Sequence, residues 1–585
     1  MASFPSFQKI IKETHTTFLR FPLEIIIAIT GTICAIDATN ETNRHTQELF
    51  TKIIMGCSLC LVLFLSISLY FLNDKKSSIL RFISSLISGA LVFVFVFQFS
   101  ERIKQFETYQ FLALNLALHL LVSFAAFINK KYNEGAFWEF NKQLFLRILT
   151  SALYSIVIYA GLSFALLATH HLFNIDYYNE IYLDLFYVIF GIFNTVFFLS
   201  GIPETNNPNA PLHLNYPITL KKFTQFVLIP LISIYFLILL SYEIKIIALF
   251  SLPVGWVSNL ILVFAIFGVL SLLLIHPIAN EKGNVWMRTF HKWFYYLLVP
   301  LIGLLFWAIL YRINLYGFTH ERYYVLALSI WLTILTVYFI FNQKSQIRFI
   351  PISMCLIALL TILGPQSADS VSKRSQLDRF ENYITRQKST LTIEEEKDLS
   401  SIVSFINDNY GIKELIPIAN KLADLKKKDK NPGDSQIMEA LGYTYRGRYY
   451  NENDKKENFY YSYYNADGMN IEKVQGYDFA FEISNNNNLN CENCLDLNGK
   501  KYSITYSKKD YGIELKINND IIPLPINNFI LQNKTLLHDN NKKIVQTVIT
   551  KDYDIQLNYR SLDGENKDNK ITLNWFSINA LLKMK

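Results

Sequence analysis

Leu356-Ile-Ala-Leu-Leu-Thr-Ile-Leu-Gly364-Pro365-Gln-Ser-Ala-Asp-Ser-Val-Ser-Lys-Arg-Ser375 is where the chain changes character. Before Gly364-Pro365 the sequence is a succession of membrane-length apolar runs, and after it come about 220 residues rich in Asn, Lys and Tyr. Hydrophobic residues make up 51% of the 585-residue chain and aromatics 15%, although the polar tail dilutes both figures. The expected fold is therefore an all-α polytopic transmembrane bundle followed by a soluble α+β domain of short helices and then an antiparallel β-sheet or sandwich.

Working back from the break, a helix needs roughly 20 residues to cross ~30 Å of hydrocarbon, because lipid offers no partner to backbone N–H and C=O groups. About eleven runs meet this length, at approximately 21–39, 51–72, 79–99, 109–128, 144–169, 181–200, 223–242, 257–276, 292–312, 322–341 and 348–363. The first begins after residue 20 and is interrupted by Glu24, which argues against a cleaved signal peptide.

An odd number of spans puts the chain ends on opposite faces, and loop charge orients them. One set of alternate loops holds seventeen Lys and Arg residues, from Lys9 through Arg81 and Arg147 to Arg348; the other holds seven, including Arg44, Lys104, Arg312 and Arg322. The excess places residues 1–20 in the cytoplasm, the bundle at 21–364, an exported helical region at 365–433 and an exported β-rich domain at 434–585. On this reading the last domain lies outside the cytoplasm. The net charge of +7 then follows from topology, and no basic surface interleaved with aromatics points to nucleic acid.

Within the tail, Thr392 and Glu395 form a capping-box signature ahead of Leu399, Ile402, Val403 and Ile406, and Gly411 stops that helix. A second helix is expected over 413–426. Alternation at 477–481, 502–506, 513–517, 555–559 and 571–575 predicts strands. Cys491-Glu-Asn-Cys494 lies in an Asn-rich stretch and reads as a short disulfide, which an oxidising compartment permits; a redox motif and a zinc knuckle fit less well. Cys34, Cys57, Cys60 and Cys355 read as small packing residues inside spans.

Ionisable groups inside spans are candidate functional residues, and Glu24, His119 and Asp184 are the clearest. Glu24 and Asp184 lie close to span ends, where headgroup contact explains them equally well. His170-His171 with Asp176 and Glu180 resembles a metal cluster only on paper, because adjacent histidines diverge on a helix; no metal or cofactor is expected. The densest pattern is Arg312-Ile-Asn-Leu-Tyr316-Gly317-Phe-Thr319-His-Glu321-Arg322-Tyr323. Gly317 is placed to stop one helix and Thr319 to cap the next, with Glu321 in its first turn. Arg312 and Arg322 face the exported side against the usual bias, which suits lipid headgroups, a pair with Glu321 or an anion-binding ledge.

That stretch, together with Ile202-Pro203-Glu204, Leu252-Pro253-Val-Gly255-Trp256-Val-Ser258, and Gly364-Pro365-Gln-Ser367 followed by Ser372 and Ser375-Gln376, resembles a family of bacterial membrane proteins defined as domain of unknown function 4153, which implies a bacterial inner membrane with the last domain periplasmic or extracellular. The likeness spans about residues 200–380 and implies no reaction, substrate or catalytic residue. Gln366 departs from the aromatic expected there. If the topology holds, Trp256, the Tyr316–Thr319 turn and the Gly-Pro-Gln-Ser element share the exported face as a platform for the tail. Envelope sensing, assembly or partner binding is the favoured class, with an envelope protein or a glycan as partner beside the lipid bilayer. A transporter or channel comes next and an enzyme on a lipid-linked substrate third; no nucleotide loop or nucleophile elbow is present.

Overall fold

A computed structural model describes residues 7–71, 78–128, 133–178, 180–203, 216, 218–249, 257–279, 281, 284–342, 345–386, 391–429, 431–447, 456–463, 472–485, 490–509, 512–532, 543–567 and 570–585. It forms two compact units, residues 1–445 and 446–585.

The first unit opens with α1 (Phe7–Arg20), α2 (Pro22–Asn40), α3 (Arg44–Phe71), α4 (Ser78–Phe97), α5 (Gln105–Ala125) and α6 (Glu134–Phe173). Next come α7 (Ile181–Tyr187) and α8 (Asn194–Ser200), joined by a π-helical turn at Val188–Phe193, and α9 (Ile218–Phe223) and α10 (Ile229–Leu249), joined by another at Thr224–Leu228. The first π-turn packs on α2 so closely that a Cβ on Gly191 would lie 2.1 Å from Thr32 Oγ1. The bundle ends with α11 (Val257–Ile275), α12 (Val285–Tyr316), α13 (His320–Phe341) and α14 (Phe349–Ile362).

Among the described residues, ten of these stretches are long and apolar enough to cross a membrane, which makes the chain a multi-pass membrane protein. The eleventh expected span is α14, where it was expected but only 14 residues long. At ~1.5 Å per residue it reaches about 21 Å, short of ~30 Å of hydrocarbon. Its buried side includes Ile350, Cys355, Ala358 and Ile362, and Cys355 points at Ala117 O on α5 (3.3 Å).

Two residues beyond Gly364-Pro365 the chain turns helical again, as α15 (Ala368–Thr385), α16 (Ile393–Tyr410), α17 (Leu422–Lys428) and α18 (Asp434–Leu441). The Thr392–Glu395 capping box is made, and Gly411 ends α16 at φ 80°. Leu399, Ile402, Val403 and Ile406 are fully buried with Phe380 of α15 and Ile437 and Met438 of α18. Each such side chain contributes about 1.5–3 kcal/mol by leaving water. The expected helix over 413–426 is instead a 3-10 turn at Ile412–Glu414, further turns, and α17. Pro417 interrupts a continuous helix there. The helical region also runs past 433, because α18 belongs to its core.

The second unit pairs two antiparallel sheets. β3 (Asn490–Leu497), β4 (Lys500–Lys509), β5 (Gly512–Ile517) and β6 (Asp520–Leu524) form a meander. The other sheet runs β1 (Lys456–Ser462), β8 (Tyr553–Lys567), β9 (Lys570–Met584), β2 (Phe479–Ser484), with β7 (Ile544–Ile549) on the first half of β8. The alternation read from sequence sets the registers: Ile513, Leu515 and Ile517 share one core with Ile555, Leu557 and Tyr559. The helix α19 (Ile526–Gln532) adds Ile526 and Ile530 to that core.

Candidate functional site: the α12–α13 turn and its clamp

A 32-residue helix leaves its last carbonyls without intrahelical partners and carries a partial negative charge at that end. At the end of α12 the chain turns through Gly317 at φ 68°, ψ −178°, a conformation essentially confined to glycine. A Cβ there would sit 2.7 Å from Arg379 Cδ and 2.9 Å from Ser375 Oγ, so glycine is required by shape as well.

Four side chains bind the exposed turn. Gln376, only 2% exposed, donates from Nε2 to Tyr316 O (3.0 Å) and Phe318 O (2.7 Å). Arg379 donates to Tyr316 O (2.6 Å) and Leu315 O (3.3 Å), and its Nη2 also meets both oxygens of Asp398 at 2.7 and 2.6 Å. Ser375 Oγ accepts from Phe318 N at 3.0 Å. Arg322 donates to Tyr316 O (3.0 Å) and Gly317 O (2.9 Å) while lying over the Tyr316 ring. Tyr383 donates to Asp398 Oδ2 at 2.9 Å, and burial followed by that carboxylate pushes its phenol well above the usual range.

Beside this clamp, His320 begins α13 at 2% exposure, with rings of Phe106, Tyr109, Phe405 and Tyr410 around it. Tyr410 donates to Asp369 Oδ1 at 2.7 Å, so its oxygen is left to accept from His320 Nε2 at 3.1 Å. That order puts the imidazole proton on Nε2 and leaves Nδ1 as a buried acceptor without a partner among the described residues. Burial, then the Asp369 carboxylate, hold the Tyr410 phenol far above its ordinary value near 10. Hydrogen bonds thus join α13, α15 and α16, and α5 supplies aromatic walls.

The residues singled out by sequence fare differently. Tyr316, Gly317 and Arg322 are brought together, and the arginine donates to the turn's own carbonyls. Glu321 faces the Tyr109 hydroxyl at 3.3 Å. Thr319 takes the N-cap position of α13 without a side-chain capping bond. Arg312 is half-buried and has no hydrogen-bond or ion-pair partner among the described residues. Trp256 and Glu204 lie outside the described residues.

Elsewhere in the bundle, Glu24 is fully buried, accepts from Ser68 Oγ and stands 3.6 Å from Arg81. Arg81 in turn donates to Arg20 O (2.7 Å), and Arg20 to Ile202 O (3.0 Å). His119 is exposed on α5 and bonds back to Asn115 O at 2.9 Å, away from any polar path. Asp184 accepts from Tyr178 at 2.8 Å near the start of α7. The 170–180 cluster yields a contact of 3.7 Å from His170 to Asp176, and no group of three metal-ligating side chains is assembled among the described residues. Cys34, Cys57, Cys60 and Cys355 are free thiols. Cys491 is disulfide-bonded beside a bulge in β3; the side chain of Cys494 lies outside the described residues.

Sequence reasoning held His320 and Gln376 only as motif members without a role and missed Asp369, Arg379, Asp398 and Tyr410, and also Glu243, which is 8% exposed on α10 with Oε2 unpartnered among the described residues. Glu243 lies one residue beyond the expected span, within reach of the intramembrane-acid criterion. The clamp residues gave no such signal, because each is an ordinary polar residue on an amphipathic helix.

Fold and site together define a multi-pass helical membrane protein whose last spans carry a clamped helical subdomain, with a β-sandwich unit at the C-terminus. The chain belongs to the family described as domain of unknown function DUF4153, whose model matches residues 27–393. The match covers most of the bundle and the clamp, well beyond the 200–380 stretch legible from motifs. "Uncharacterized protein PM1469" of Pasteurella multocida (strain Pm70) is 26% identical over 331 residues, covering 54% of this chain and 52% of that protein. The chain thus spans about half the length of this curated relative. No solved structure matches.

Proposed function

We propose that the protein is an inner-membrane envelope protein that holds an exported C-terminal domain on a rigid base for sensing, assembly or binding of an envelope protein or glycan. The observation that carries this reading is the clamp: Gln376 and Arg379 fasten α15 to the turn carbonyls at 315–318, so the segment after the last membrane helix is anchored rather than free. An anchored base ahead of a separate sandwich suits partner presentation; the positive-inside bias favours an exported α12–α13 turn, and the clamp holds the chain after residue 364 to that turn. Alkaline phosphatase fused after residue 366 should be active and a cytoplasmic reporter there silent; the reverse result refutes export and the function built on it.

A transporter is the second reading, favoured by Glu243 alone. Its carboxylate is buried on α10 in the run Ser241-Tyr242-Glu243-Ile244-Lys245, whose Ser241, Tyr242 and Lys245 line a groove of about 710 Å³. Glu243→Gln abolishing a proton-dependent solute flux in proteoliposomes would carry that reading in place of the first. An enzyme on a lipid-linked substrate wants a His with an Asp in an open cleft; His320 and Asp369 stand 3.6 Å apart, but the imidazole is sealed by aromatic rings.

A further inference from the structure

Helices α5 and α13 both flank α14, and between them lies an apolar slot of about 190 Å³. One wall is Leu112 and Leu116 of α5, the other Ala327 of α13, and the floor is Met354 and Ala358 of α14. The alanines open the gap, since a larger side chain at 327 or 358 would close it. Both walls belong to helices that cross the membrane, so the medium beside the slot is hydrocarbon. Dry apolar cavities near 150 Å³ accept a hydrocarbon ligand, and this slot falls short of the ~300 Å³ typical of a whole small-molecule site, a size suited to part of one chain.

The polar end of the slot narrows the choice of occupant. Tyr324 lines it, and its hydroxyl oxygen is buried with no hydrogen-bond partner among the described residues, the Thr361 hydroxyl standing nearby but outside hydrogen-bond geometry. Thr361, the nearest hydroxyl on the floor, gives its own proton to Ala358 O at 2.6 Å. A buried phenol O–H left without an acceptor costs about 1–3 kcal/mol. Tyr324 lies four residues inside the start of α13 at His320, which is about 6 Å below the helix end. In a 22-residue helix of about 33 Å that Cα lies just inside ~30 Å of hydrocarbon, and because helical side chains lean toward the N-terminus the phenol is carried back toward the ester carbonyls at the hydrocarbon's edge. We propose that the slot binds one acyl chain of an ester-linked phospholipid, whose carbonyl accepts the Tyr324 proton. The site requires only the membrane bundle and holds whichever partner the C-terminal domain takes.

The test uses the full chain in nanodiscs containing a phospholipid with a diazirine at mid-chain. Photolabelling of the wild type should concentrate on Leu112, Leu116 and Met354, at least several-fold above the exposed α6 positions Leu153 and Val157. Native mass spectrometry after a delipidating wash should find one retained phospholipid in the wild type, loss of it in Ala327→Phe, and a several-fold weaker hold in Tyr324→Phe. A diether phospholipid, which lacks the carbonyls, should be held by the wild type no better than the diester is by Tyr324→Phe. Labelling no denser in the slot than on α6, retention in Ala327→Phe equal to wild type, diether held as well as diester, or a quinone or isoprenoid in place of the phospholipid would each overturn the proposal.

Discussion

Gly317 shows how closely one residue can bind the membrane helices to α15. Alanine there would meet both a backbone region closed to side chains and the Arg379 and Ser375 side chains. Gly317→Ala should destabilise the docked helices by about 1–3 kcal/mol, seen as faster proteolysis within 365–441 while the membrane bundle stays intact. Arg379→Ala should cost a similar amount, because the half-buried Asp398 loses its cation and Leu315 O its side-chain donor. Wild-type proteolysis of both variants would show that the clamp does not hold. The glycine was legible in sequence as a helix stop; its second task, admitting α15, was not, because the residues that crowd it lie about sixty positions away. Arg322 donates to Tyr316 O and Gly317 O, a part in holding the turn that its place in the sequence does not reveal. Arg322→Ala should therefore loosen the turn without changing affinity for inorganic phosphate.

Among the elements, α16 and α14 mark opposite ends of legibility. The cap, the apolar spacing and the glycine stop of α16 are local signals, and the structure reproduces all three. Thr392→Ala should lower the stability of the helical region by about 1 kcal/mol, measured by thermal unfolding, since it frees one orphan N–H. By composition α14 passes for a span, yet its length falls short, and only its neighbours decide what it packs against. Where α15 and α16 meet α13, two buried phenols set a pH dependence. Tyr383 and Tyr410 have folded-state values raised above the ordinary value near 10, first by burial and then by Asp398 and Asp369. A group raised on folding contributes stability that is complete below its unfolded value and is lost as pH climbs past it. The two phenols should accordingly contribute no pH dependence below about 9 and loosen the docked region progressively above about 10. Tyr410→Phe should start less stable, since Asp369 and His320 lose their shared partner, and show a shallower alkaline loss in hydrogen exchange.

For the whole molecule, the compositional break at Gly364-Pro365 and the division between compact units fall at different places. The first compact unit continues through α15 to α18 as far as residue 445, and the sandwich begins only afterwards. Composition could not show this, because the clamped helices are as polar outside as any soluble domain and their attachment is made by backbone carbonyls. Strand alternation foresaw β2, β4, β5, β8 and β9, while β1, β3, β6 and β7 are short or Asn-rich and lack a clean period. The chain that leaves α14 is fastened to the α12–α13 turn, and this fastening holds the polar helices to the bundle. Its most direct test is an engineered pair, Phe318→Cys with Ser375→Cys, oxidised mildly in native membranes and read as a crosslinked peptide by mass spectrometry. Asp554→Cys with Lys583→Cys, partners across β8 and β9, serves as the positive control. The account predicts that both pairs crosslink; a β8–β9 crosslink without the 318–375 crosslink would contradict it.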